Sequence, residues 1–95
     1  MKAGDYAKVV GLEHFPELNG RHVEILGEVE DLELPEPTGR MVKAPRHPVR
    51  FITEPHRTGY IAPDCLVETG PLTAAIHRAI WIHETGSEPP KIRTT

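Results

Sequence analysis

Gly11-Leu12-Glu13-His14-Phe15-Pro16-Glu17-Leu18-Asn19-Gly20-Arg21 separates two stretches in which apolar and polar residues alternate. Before it, residues 5–10 put Ala7 and Val9 on one face and Tyr6 and Lys8 on the other, the period of a half-buried strand. After it, Val23, Ile25 and Val29 share a face, with Glu24, Glu28 and Glu30 on or near the opposite one. Between the two, Pro16 breaks any regular helix and leaves room for a single 3₁₀ turn within residues 13–18. Asn19-Gly20 predicts a tight turn, because both residues tolerate positive φ. The stretch joins two strands and carries no chemistry of its own.

The second strand runs on through Leu32 and Leu34 to a loop at Pro35-Glu36-Pro37-Thr38-Gly39, with Gly27 at a point suited to a bulge or a sharp coil. Residues 40–53 form the return strand, and Pro45 and Pro48 make it an edge or a bulged strand, since neither can donate to a ladder. Folding about Pro37 sets Glu24 near Arg50, Glu28 near Arg46 and Asp31 near Lys43, and in the same register Val23 meets Phe51 and Ile25 meets Val49. One register matches both charge and apolarity, each pair contributing roughly 0.2–1 kcal/mol. A turn over residues 54–59, a short strand at 60–62, a turn at 63–65 and a last strand at 66–68 complete the sheet.

Past Gly70 the period becomes helical. Thr69 is a candidate cap, Pro71 suits the first turn and Gly86 ends the helix. Leu72, Ala75, Ile76, Ala79, Ile80 and Ile82 fall on one apolar face. The predicted organisation is a barrel over residues 1–68, a helix packed on it over 69–86, and a polar tail over 87–95.

Composition narrows the function. A chain of 95 residues supports one core. Its net charge of −3 opposes non-specific binding to nucleic acid or anionic membrane. The charge is uneven: the first 39 residues hold nine acids and three bases, and the remainder five acids and eight bases. The single cysteine, Cys65, allows no internal disulfide and no Cys-rich zinc site, which together with the absence of a signal-like or membrane-spanning run predicts a cytoplasmic protein.

The punctuation resembles a known family. Gly4-Asp5, Gly11-Leu12, Pro16-Glu17-Leu18-Asn19-Gly20, Gly39-Arg40, Val49-Arg50-Phe51 and Ile61-Ala62-Pro63-Asp64-Cys65-Leu66 are similar to the turns of the small SH3-like barrel with KOW-type strand order. The resemblance covers residues 4–67 and implies a mainly β fold: a five-stranded barrel with a long hairpin between its second and third strands, followed here by one helix. Relatives of this fold include interaction modules, ribosome- and polymerase-associated domains and subunits of larger enzymes. Three departures stand out: the long hairpin, Ala62 and Cys65 in place of the usual Lys and Asn of the last turn, and the added helix.

Each candidate site competes with a structural role. The six histidines lack the spacing of a ligand set, so no metal and no cofactor is expected. Cys65 beside Asp64 is disfavoured as a thiolate, and no triad, paired catalytic carboxylates or phosphate loop is present, so no enzymatic activity is expected. Arg40, Lys43, Arg46 and Arg50 could grip a phosphate backbone, but the acids of the preceding strand can neutralise them. On the helix, counting from Leu72, Trp81 lies about 180° from the presumed core face, making Trp81 with Ala74, His77 and Arg78 a candidate partner-binding patch. Phe15 is a second candidate, as a binding residue or as a lid over the barrel end. The expected function is a non-enzymatic protein-interaction or assembly module, binding another protein or a second copy. The alternatives are an RNA- or DNA-binding KOW-like domain and an accessory subunit or phage-like inhibitor.

Overall fold

The computed structural model describes residues 1–90 as a curled antiparallel sheet, an open half-barrel, with one C-terminal helix. The strands are β1 (Tyr6–Val9), β2 (His22–Ile25), β3 (Glu30–Pro35), β4 (Met41–Phe51), β5 (Glu54–Ile61) and β6 (Leu66–Glu68), and the helix is α1 (Ala74–Thr85). The sheet order is β3-β4-β2-β1-β6, with β5 on the other side of β4. The expected mainly β class holds. Residues 91–95 of the expected tail lie outside the described residues.

Alternation places the core. Ala7, Val9, Val23, Ile25 and Val49 are fully buried, and Leu18, Phe51, Ile61 and Leu66 close around them. The predicted register between β2 and β4 is observed, with Val23 opposite Phe51, Glu24 opposite Arg50 and Ile25 opposite Val49. Beyond Ile25 it slips by two residues, so that Glu30 faces Arg46 and Glu33 faces Lys43. The expected second strand is therefore two strands, and the sheet has six rather than five. The break is built by two hydrogen bonds. Leu26 N donates to Pro48 O at 2.8 Å, and the buried His47 ring, through Nδ1, bonds Gly27 O at 3.1 Å. A slip of two keeps every side chain on its own face.

The hairpin formed by β3 and residues 41–46 of β4 buries no residue. Leu32, Leu34, Val42, Ala44 and Arg46 line its half-covered face, and Asp31, Glu33 and Lys43 line the other. Ile52 and Thr53 alone connect β4 to β5, which corrects the expected turn over residues 54–59. Pro55 is accommodated because β5 is an edge strand, paired only with β4.

The opening stretch folds as a staple between β1 and β2. Pro16–Leu18 is the single 3₁₀ turn. Asn19 keeps φ −61° and only Gly20, at φ 90°, uses positive φ, giving a type II turn closed by Arg21 N to Leu18 O at 3.1 Å. Asn19 instead spends its side chain on the loop: Leu12 N donates to Oδ1 at 2.8 Å, and Nδ2 donates to Leu12 O at 3.1 Å. Asn19→Ala removes both bonds and should cost about 1–2 kcal/mol, read as a lowered midpoint in thermal denaturation.

The helix starts later than expected. Thr73, not Thr69, caps it, accepting from Ile76 N at 3.2 Å, while Thr69 N stays with the sheet by donating to Tyr6 O. Gly86 ends it in the left-handed conformation, as predicted.

Candidate functional site

Two shallow concavities meet at one end of the half-barrel. The first, of about 190 Å³, is lined by Leu12, Phe15, Leu18, Phe51, Arg57 and residues 58–61. The second, of about 360 Å³, runs from residues 11–15 past Tyr60, Ile61, Ala62 and Cys65 to Leu34 and Arg46 of the hairpin. Leu12, Phe15, Tyr60 and Ile61 belong to both, so the two form one groove.

The walls follow from local structure. Phe15 is held out by the 3₁₀ turn it precedes, its carbonyl accepting from Leu18 N at 3.0 Å. Tyr60 stands on β5 opposite Pro48, next to the buried Ile61. Phe15 is 56% exposed and Tyr60 55% exposed, whereas Phe51 is buried and Tyr6 and Trp81 are half-buried. Of the five aromatic side chains, the two that protrude share one groove. Phe15 therefore lines the groove with its side chain more than half exposed. Tyr60 was not among the residues singled out by sequence. Its exposure depends on the length of β5, whose start at Glu54 the turn prediction obscured.

Basic side chains sit at the groove. Arg46 is half-buried, and its Nη1 donates to Pro45 O at 2.8 Å, with no carboxylate within ion-pair distance among the described residues. Arg57 lies over Phe51, 5.1 Å from the ring centroid, and reaches Glu54 at 3.6 Å. Glu13 and His14 are the other titratable groups along the wall, with Cys65 packed against the core behind them.

The patch predicted on α1 is arranged differently. Of the expected core face Ile80 is buried and Leu72 half-buried, but the rest is turned outward: Ile76 is 47% and Ile82 40% exposed, and Ala75, Ala79 and His83 are exposed. His77 and Trp81 are half-buried, their rings 5.9 Å apart. Ala74 is exposed at the first helical position, and Arg78 is held in a two-pronged pair by Glu88 at 2.6 and 2.8 Å. Trp81 therefore does not head an outward patch formed with Ala74, His77 and Arg78.

The reason for this rotation is Glu84, whose side chain is 3% exposed. Its Oε1 accepts from Arg21 Nε at 3.0 Å and Thr53 Oγ1 at 3.1 Å, and its Oε2 accepts from His22 N at 3.0 Å and His22 Nδ1 at 2.9 Å. A carboxylate only accepts, so the His22 proton resides on Nδ1. Arg21 also donates to Thr53 Oγ1 and Glu54 Oε1, both at 2.9 Å. Burial pulls the Arg21 pKa down, but the hydrogen bonds and charges of Glu54 and Glu84 together hold it above its ordinary value. The hydrogen bond from Arg21 holds the Glu54 carboxyl below its ordinary value. The stabilisation from Glu54 is thus present above the ordinary carboxylate range and is lost as pH falls through the lowered value. Glu54→Gln should flatten that part of the acid limb in urea midpoints measured against pH.

Of the bases of the alternative nucleic-acid surface, only Arg50 has a carboxylate within ion-pair distance among the described residues. Arg50 lies opposite Glu24 and 3.8 Å from its carboxylate, Lys43 is opposite Glu33 and Arg46 opposite Glu30, while Arg40 is exposed near the hairpin tip. Among the described residues no three His, Cys, Asp or Glu side chains converge on a metal position, and no helix is long and apolar enough to cross a membrane. Comparison with protein-family models, with curated proteins and with solved structures gives no match, so the functional reading rests on the geometry of this chain.

Proposed function

We propose that the chain is a non-enzymatic protein-interaction module built on a small SH3-like barrel, and that its partner binds in the groove between Phe15 and Tyr60. One observation carries this reading: the two most exposed aromatic side chains flank a continuous apolar floor of Leu12, Leu18 and Ile61. Exposed aromatics beside a concave apolar surface are the composition of an interface centre, because their large rings bury much area at low conformational cost. The staple around Asn19 and the edge strand β5 hold both rings before any partner arrives, which lowers the ordering cost of binding.

The test is selection of a random linear-peptide display library on the immobilised chain, with the Phe15→Ala/Tyr60→Ala variant as counter-target. Sequences enriched on the wild type alone support the reading. Equal enrichment on both, or on neither, opposes it. Salt-dependent binding of generic RNA that disappears with Arg46→Ala/Arg50→Ala would instead favour the nucleic-acid function.

A further inference from the structure

We infer that the groove takes an extended acidic peptide, with an apolar side chain between Phe15 and Tyr60 and a carboxylate on Arg46. The inference rests on the groove being the binding site and adds the chemistry and form of the occupant.

Arg46 sets the charge preference of the groove. Arg46, half-buried as a residue, lines the groove together with Leu34 and Ala62, yet its one hydrogen bond among the described residues goes to a neutral carbonyl, Pro45 O. A ligand carboxylate offers a charge-assisted, two-pronged alternative that is about twice as strong as a neutral hydrogen bond. Glu30, the residue opposite Arg46 in the hairpin, does not come within ion-pair distance of it. Arg57 adds a second cation at the far end of the groove, partly committed to Glu54. Glu13 is the one acid in the lining, so cations outnumber it in a chain whose net charge is negative.

The form of the ligand follows from the sheet. β5 pairs with β4 only from His47 to Phe51, ending at Ile61 opposite His47. Residues 41–46 of β4 have β3 on one side and, among the described residues, no strand on the other. This open edge starts where Arg46 and Ile61 line the groove, so an extended segment leaving the Phe15–Tyr60 cleft can continue as an added strand.

Peptides selected on the wild-type chain are to be synthesised and measured by fluorescence anisotropy against wild type, Arg46→Glu, Glu13→Gln and Phe15→Ala/Tyr60→Ala. The inference expects Asp or Glu next to an apolar anchor, at least about tenfold weaker binding to Arg46→Glu, a few-fold tighter binding to Glu13→Gln, and affinity that falls with added NaCl. Neutral or basic peptides that lose binding with Phe15→Ala/Tyr60→Ala but ignore Arg46→Glu would overturn the acidic ligand and leave the groove standing. Peptides indifferent to the aromatic double variant would overturn both. Circular dichroism of each variant separates lost contacts from lost folding.

Discussion

Glu84→Ala should release α1 from the sheet and lower the unfolding free energy by about 2–3 kcal/mol. The side chain is almost wholly buried and accepts four hydrogen bonds, three of them from Arg21, just before β2, and His22, its first residue. Its removal leaves the Arg21 guanidinium with Glu54 and Thr53 alone, and leaves His22 N without its acceptor. The loss stays below that of a fully buried pair because the Arg21 side chain is 21% exposed and keeps one carboxylate. Apolar packing by α1 is too thin to compensate, since Ile80 is its one buried residue. Trp81, the single tryptophan, reports the event: its emission should shift to the red in Glu84→Ala while the β signal persists. Glu84→Gln keeps the shape and part of the bonding and should fall between the variant and wild type. An unchanged urea midpoint and unchanged emission in Glu84→Ala would show that the carboxylate does not dock the helix.

Replacing both groove aromatics should have the opposite profile, with a large effect on binding and a small one on stability. Phe15 and Tyr60 are each more than half exposed, so truncation opens no cavity in the core. In a complex the same rings would be desolvated at the centre of the contact, where truncation of one aromatic costs about 2 kcal/mol or more, some thirtyfold in affinity. Phe15→Ala/Tyr60→Ala should therefore melt within a few degrees of wild type yet lose the selected peptides. Glu84→Ala, with α1 released, should retain them, because no helix residue lines the groove. This crossing of effects separates the element that holds the helix from the surface that binds.

Much of the sheet could be read from residue order, and the misreadings have physical causes. The pairing of β2 with β4 was legible because Val23, Glu24 and Ile25 meet Phe51, Arg50 and Val49 with both charge and apolarity matched. The two-residue slip beyond Ile25 was not, because Glu28 and Glu30 serve Arg46 equally well by charge. What decides between them is a pair of bonds, Leu26 to Pro48 and His47 to Gly27, that no local pattern encodes. The face of α1 was misread for a related reason. Periodicity ranks faces by apolar residues, and the Ile76, Ala79 and Ile82 face outscored the one that holds Glu84. The partners of Glu84 come from positions 21, 22 and 53, so its burial is a long-range fact. Of the groove, Phe15 was legible from its place in a proline-broken loop. Tyr60 was hidden because Phe15 and Tyr60 are neighbours only once β5 is laid along β4.

The staple at residues 11–21 thus has a second consequence beyond joining β1 to β2. The same bonds that fix the chain path between Leu12 and Asn19 hold Phe15 at the groove. Loosening the loop with Asn19→Ala should weaken peptide binding as well as stability, through the cost of ordering Phe15 on association.

The most direct test is to record amide chemical shifts while a selected peptide is added to the isotope-labelled chain. The account predicts that the perturbed amides cluster at Leu12, Phe15, Tyr60, Ile61 and Ala62, extend to residues 41–46, and spare the outward face of α1. Perturbations centred on Ile76, Ala79 and Ile82, with the groove silent, would contradict it.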